Sequence, residues 1–512
     1  MAYIAISKAR VLVNSASGAI TLVINVGFVF WLYQYLLARV PAEEFAVYPV
    51  LMVIMMLGPV IVSFFASAVS RDIIMAYADD RKEDVLRLHT STVLALGAFL
   101  CVMVLLGILT ATQIEHLLNV PAAMLSDVRL MTVIVVVDLC TGLFSVPFST
   151  AFEVRQQFVR RDMITLAVNF FKIALTFAFL VGLGPNVLWV TLASLIASLA
   201  GLSVIVLCAR RMLPEFRIRP DRFSLETLRG VLGFGAWTSL GTFSMVIYQS
   251  AGPVLLNIFA GPVQITTFFI GSVFDRRIAS LMTVALAPVQ PVMVSMSATG
   301  DYSRLGSTYL RGGRYALWLA MAVGCPMFIY ADDFILLYLG PSYAETATVM
   351  RLFFIAFPVI YADILLSRVA IATGHVRGFF IGAIVSSLVM LAGIIIVLGM
   401  TGYGAVGAAA VLSGVNVVVH LVYFWPLGLR LTGVGFDTFV TQVMVRGLIP
   451  SIGGLLIWVP GKLSGLSQSW PGFLACGVAG GLVYVLTAVL FCLSPDEKAA
   501  LRGILARLRR TS

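Results

Sequence analysis

Apolar runs of about 20 residues, parted by short polar breaks, recur from one end of the chain to the other. As helix, each is long enough to cross a ~30 Å hydrocarbon core. The runs fall near residues 15–38, 45–69, 91–112, 127–151, 163–183, 186–208, 231–259, 263–296, 313–331, 347–371, 379–399, 404–428, 438–459 and 471–493, predicting fourteen transmembrane helices. The seventh and eighth are long enough to project from the bilayer. No long polar insertion interrupts the series, so an all-α polytopic membrane protein without a soluble catalytic domain is expected. "MAYIAISKARVLV" (1–13) holds no short apolar core followed by a cleavage site, and the first span is expected to be retained.

Composition agrees with this pattern. Of 512 residues, 60% are hydrophobic and 11% charged, against ~25% charged in an average soluble domain, and mean hydropathy is +1.02. The six cysteines all lie inside apolar runs with no close pair, which disfavours disulfides and metal.

Charge orients the spans. Lys and Arg accumulate in short cytoplasmic connections. With the amino terminus inside, 26 of the 34 Lys and Arg fall on that side, including Arg71, Arg81, Lys82 and Arg87 in one connection and Arg210 to Arg229 in another. The alternation holds for every connection, so an even number of spans with both termini cytoplasmic is expected. The net charge of +10 is accounted for by orientation and anionic lipid headgroups, without nucleic acid. "LRGILARLRR" (501–510) reads as a basic amphipathic helix on the inner leaflet.

The chain also resembles itself at an offset of about 220 residues. "LLARVPAEEFAVY" (36–48) answers "LLNIFAGPVQITTFF" (255–269), and "IEHLLNVPAAMLSDVRL" (114–130) answers "DFILLYLGPSYAETATVMRL" (333–352), pairing Arg129 with Arg351. The expected plan is an N-terminal six-helix lobe (1–212), a basic cytoplasmic linker (213–230), a C-terminal six-helix lobe (231–430), two additional helices (431–495) and a basic tail (496–512). Two like-oriented repeats suggest a carrier whose halves rock around a central cavity.

Ionisable residues inside spans are costly and hence functional hypotheses. Arg276 and Arg277 follow Asp275 deep in the eighth span, where the first repeat has Met55 and Met56. Arg276 shares a helical face with Ser272, Ala279, Ser280 and Thr283, whereas Arg277 shares one with Val273, Phe274, Leu281 and Val284. Arg276 is therefore the preferred cavity cation, Asp275 its neutraliser, and Arg277 the more structural of the two. The fifth span carries Thr165, Asn169, Lys172 and Thr176 on one stripe. One cation per half suits an anionic headgroup such as a pyrophosphate, for which Arg supplies forked donors and Lys a point charge. Lys172 could instead snorkel or pair with Asp138. The acids Asp138 and Asp363 could bind a coupling proton or sodium ion, or balance Lys172 and Arg276. Asn25 lies on a polar face of the first span and reads as a helix-contact residue. The four histidines show no metal spacing, and no catalytic constellation is present.

These features resemble the polysaccharide transporters of the multidrug/oligosaccharidyl-lipid/polysaccharide export superfamily, which includes lipid-linked oligosaccharide flippases. The resemblance rests on "ARVPAEEFAVYPV" (38–50), "GSVFDRRIASLMTVALAPVQPVMVSMSATGDYSRL" (271–305), "LYLGPSYAETATVMRLF" (337–353) and the 6+6+2, MATE-like plan. It implies a non-enzymatic carrier in the bacterial inner membrane that moves undecaprenyl-pyrophosphate-linked sugars outward for surface polysaccharide (O-antigen, capsule or exopolysaccharide) biosynthesis. It also implies cationic cavity residues, which Arg276 matches, contact with membrane lipids and polysaccharide polymerase or assembly proteins as partners. No cofactor is expected beyond a coupling H+ or Na+. A multidrug antiporter and a peptidoglycan-precursor flippase are the alternatives. The missing acid in the first span weakens the former, and the short loops leave no room for a membrane glycosyltransferase.

Overall fold

A computed structural model describes residues 27–62, 73, 76–77, 79–117, 124–155, 157–286, 289–494 and 497–498. All regular structure among the described residues is helical. Among the described residues eleven helices are long and apolar enough to cross a membrane, or twelve if one bent pair is a single span. Of the fourteen expected spans, the first is represented by α1 (Gly27–Leu37), and its N-terminal part, with Asn25, lies outside the described residues. Then follow α2 (Ala42–Met56), α3 (Lys82–Thr112), α4 (Leu125–Val154), α5 (Val159–Gly182), α6 (Val187–Met212) and α7 (Leu225–Phe259).

The expected eighth span is divided. It breaks at Ser272 into α8 (Pro262–Gly271) and α9 (Val273–Leu286), so the unbroken helix assumed from hydropathy is not found there; α10 (Val289–Ala298) is the remaining described part of the span. Proline opens α8, where its missing N–H costs nothing and its φ suits a first turn. Gly261 before it adopts φ +127°, which a Cβ would oppose. The ninth span is the bent pair, α11 (Tyr302–Ile329) and α12 (Ala331–Leu339), at 74°. The remainder are α13 (Glu345–Ala372), α14 (Val376–Met400), α15 (Gly404–Thr432), α16 (Phe436–Leu463) and α17 (Trp470–Cys492).

The chain divides into two compact units, Met1–Thr266 and Thr267–Ser512, the division falling within α8. In the first, α4 packs on α3 and α6, and α5 packs on α6. Its core holds Val85, Val93, Phe148, Ala151 and Phe216 at one end, and Leu96, Leu100, Leu139 and Leu143 further along α3 and α4. In the second, α13 packs on α11 and α15, and α16 packs on α11 and α17. A cluster of Met293, Tyr309, Ala362, Leu365, Trp425, Phe439 and Val443 joins α10, α11, α13, α15 and α16. Large aliphatic side chains remain exposed along whole helix faces, such as Val102, Leu105, Leu106 and Leu109 on α3 and Val385, Leu388 and Ile396 on α14. In water such patches would aggregate, whereas facing lipid they carry no penalty. The protein is a multi-pass membrane protein.

Arg129 and Arg351, matched by the internal repeat, make matching contacts. Arg129 pairs with Glu115 of a short helix (Ile114–Leu117), and Arg351 grips Asp332 at the start of α12. Lys462 joins the second cluster through Asp333, which also accepts a hydrogen bond from Ser467. Each arginine thus pins the start of its span to the short helix that follows the preceding one. All six cysteines are free.

Candidate functional site

The residues singled out from sequence sit in different settings. Arg276 is held by its own helical stretch: one terminal nitrogen donates to Ser272 Oγ at 2.6 Å and the other to the Phe269 carbonyl at 2.8 Å. Its guanidinium also lies 4.4 Å from the Phe269 ring centroid. The i, i+4 spacing of Ser272 and Arg276 makes the first bond possible. The backbone N–H of Arg276 donates to the Ser272 carbonyl across the α8–α9 junction, keeping the two residues on one face.

Arg277 has no hydrogen-bond or ion-pair partner among the described residues, yet it is half-buried on α9. Five donors fixed in a planar fork thus find no acceptor among the described residues. Asp275 is half-buried and close enough to the Tyr361 hydroxyl of α13 to act on it electrostatically.

In the first unit, Lys172 projects from α5 and donates to Ser194 Oγ of α6 at 2.8 Å. Asp138 of α4 lies within electrostatic reach of Lys172 but forms no ion pair with it. The Asp138 carboxylate is buried and its Oδ1 has no hydrogen-bond partner among the described residues. Two hydroxyls of the fifth-span stripe turn back on their own helix, Thr165 to the Arg161 carbonyl and Thr176 to the Lys172 carbonyl. Half-buried Asn169 makes no side-chain hydrogen bond among the described residues.

Asp363 interrupts α13 between Glu345–Ala362 and Leu366–Ala372, with the Leu366 N–H returning to its carbonyl at 2.7 Å. It is 2% exposed. Its Oδ1 lies 3.7 Å from His420 Nε2 of α15, and its Oδ2 has no hydrogen-bond partner among the described residues. The Tyr309 hydroxyl of α11, also buried and without a hydrogen bond among the described residues, lies within electrostatic reach of Asp363. His420 opens a π-helical turn (His420–Phe424). Sequence reasoning treated His420 as one of four scattered histidines and did not select Tyr309. Histidine and aspartate stand far apart in sequence, and only the packing of α13 on α15 joins them. Among the described residues no group of three or more His, Cys, Asp and Glu side chains is placed to hold a metal.

A family model described as polysaccharide biosynthesis protein matches residues 36–348. The chain belongs to that family. It is 22% identical over 471 residues, covering 89% of this chain and 88% of the relative, to the uncharacterized membrane protein EpsK of Bacillus subtilis (strain 168). Its fold is similar to that of lipid II flippase MurJ in an inward closed conformation, with TM-score 0.72, 14% identity, and 94% of this chain and 98% of that one covered. It is also similar to an inward-facing multidrug resistance MATE family transporter of the MOP superfamily, with TM-score 0.64, 15% identity, and 79% and 94% covered. The all-helical architecture read from hydropathy is thus the fold of these two solved structures, and the family is one of polysaccharide biosynthesis.

Proposed function

We propose that this protein is a flippase that moves undecaprenyl-pyrophosphate-linked oligosaccharide from the inner to the outer leaflet of a bacterial inner membrane, supplying a surface polysaccharide. The observation that carries this reading is Arg277, a half-buried guanidinium on a membrane helix with no partner of its own among the described residues. An intramembrane cation is retained against a cost of several kcal/mol only where something compensates it. A pyrophosphate presents paired anionic oxygens at the spacing a planar guanidinium fork matches. Arg276, engaged with Ser272 and Phe269, braces the α8–α9 junction and adds positive potential beside it. Lys172 and Asn169 are the corresponding polar groups of the first unit, with Asp138 balancing the charge of Lys172.

Family membership supports a substrate from polysaccharide biosynthesis. The flippase MurJ and the MATE transporter, sharing this fold, support a carrier over an enzyme. Transport would proceed by alternating access of the two like-oriented repeats, driven by a coupled cation. The charge bias of the connections supports cytoplasmic termini, and polymerase or assembly proteins would receive the product.

Deleting the gene and measuring lipid-linked oligosaccharide tests the proposal. Under it, the intermediate accumulates in the cytoplasmic leaflet and surface glycan falls. Unchanged levels of both would refute it. Rescue of a strain lacking its lipid II flippase, with surface glycan untouched, would instead support a peptidoglycan-precursor role, the reading that the MurJ fold similarity favours second.

A further inference from the structure

The second unit brings two acceptors together, one on the buried Asp363 and one on the half-buried His420. Asn416 offers His420 a carbonyl oxygen at 2.9 Å from Nδ1, and a carbonyl only accepts, so Nδ1 carries the hydrogen. In the neutral ring Nε2 then carries a lone pair, and it lies 3.7 Å from Asp363 Oδ1. Two acceptors facing each other at that distance form no bond. Asp363 Oδ2 and the Tyr309 hydroxyl are likewise buried without hydrogen bonds among the described residues. Buried polar atoms left unsatisfied in a native core call for an explanation, and several converge here. The backbone is irregular on both sides, broken at Asp363 and π-helical from His420. Such irregularities recur at functional sites, and in membrane carriers at ion sites.

One proton resolves the mismatch. Placed on Asp363 Oδ1 it is donated to Nε2, and placed on Nε2 it is donated to the carboxylate. Either arrangement lets the gap close to hydrogen-bonding distance and leaves the core with a neutral pair or an internally compensated one. We propose that Asp363 and His420 form a single-proton binding site in the second unit, with Tyr309 as the hydroxyl that satisfies the free carboxylate oxygen. The titratable groups facing it are His420 from α15 and Tyr309 from α11. Met293 from α10 and Phe439 and Val443 from α16 pack around the same segment and are apolar. On α13 itself the neighbours are Tyr361 and Arg368, the latter bonded to Gln290. That this proton drives transport rests on the flippase reading; that the pair binds it does not.

The test is a pH titration of the full-length protein, 15N-labelled at histidine and held in lipid nanodiscs, followed by the ring-nitrogen resonances between pH 5 and 9. The His420 signal is the one missing in His420→Gln. The expected result is one titration step at His420 that disappears or moves by more than about one pH unit in Asp363→Asn and is unchanged when Na+ replaces K+. Tyr309→Phe, which removes one oxygen, serves if Asp363→Asn does not fold, and it too should displace the step. No step, a step indifferent to both variants, or one moved by Na+ at constant pH would overturn the proposal. Loss of the lipid-intermediate phenotype would remove the transport reading and leave this titration standing.

Discussion

Replacing Arg277 and Arg276 separately distinguishes a ligand-binding arginine from a structural one. Arg277 has no hydrogen bond or ion pair to lose among the described residues, so Arg277→Ala should change stability by less than about 1 kcal/mol. If its fork holds a pyrophosphate, the substitution removes hydrogen bonds to a charged group worth about 1.5–3 kcal/mol. At 1.4 kcal/mol per factor of ten, that weakens engagement roughly 10- to 150-fold. Arg277→Lys, which keeps the charge without the fork, should fall between. Arg276→Ala loses bonds at 2.6 and 2.8 Å and a ring contact at 4.4 Å. With about 0.5–1.5 kcal/mol for each hydrogen bond and a similar amount for the cation–π contact, it should cost roughly 2–4 kcal/mol of stability. The assays are the thermal midpoint of the purified protein and, at matched membrane abundance, the ratio of lipid-linked oligosaccharide to surface glycan. An Arg277→Ala protein that exports like the wild type, or that is destabilised as much as Arg276→Ala, would refute the assignment.

Two further predictions concern the scaffold around these residues. A Cβ at Gly313 would overlap the Ala362 carbonyl oxygen, which is backbone and cannot turn away, whereas one at Gly312 would meet the tip of Leu365. Gly313→Ala should therefore cost about 3 kcal/mol and Gly312→Ala about 1 kcal/mol, and equal thermal midpoints would contradict the close approach of α11 to α13. Glu497 pairs with the buried Arg314 and accepts from the Tyr315 hydroxyl, so Glu497→Gln strands a buried cation and should cost about 3 kcal/mol at pH 7. Burial acts to raise the Glu497 carboxyl, but hydrogen bonds from Tyr315 and the Ser494 backbone, with the Arg314 charge, outweigh it and leave it below the ordinary carboxylate value. Because the group is depressed in the folded state, its contribution is full above about pH 4.3 and is lost as pH falls through the folded value. The gap in thermal midpoint between wild type and Glu497→Gln should accordingly narrow below about pH 4, and a gap independent of pH would contradict the pairing.

Much of this molecule was determined by one-dimensional pattern. A helix in lipid satisfies its own backbone, so an apolar run of sufficient length specifies a span without help from distant residues. The placement of cations between spans is likewise a local property. The repeat is a reading of matching stretches, and the two arginines it pairs, Arg129 and Arg351, each meet an acid of the short helix before their span. Tertiary structure decided which ionisable side chains are satisfied. Arg276 is a local exception, since its own stretch supplies both oxygens that hold it, while Arg277 has no hydrogen-bond partner among the described residues. Lys172 meets Ser194 rather than forming an ion pair with Asp138 because α5 packs on α6. Asp363, His420 and Tyr309 belong to three helices, and nothing in their spacing joins them. A hydrogen bond depends on a few tenths of an ångström between side chains from different helices, a distance that hydropathy does not encode and only packing sets.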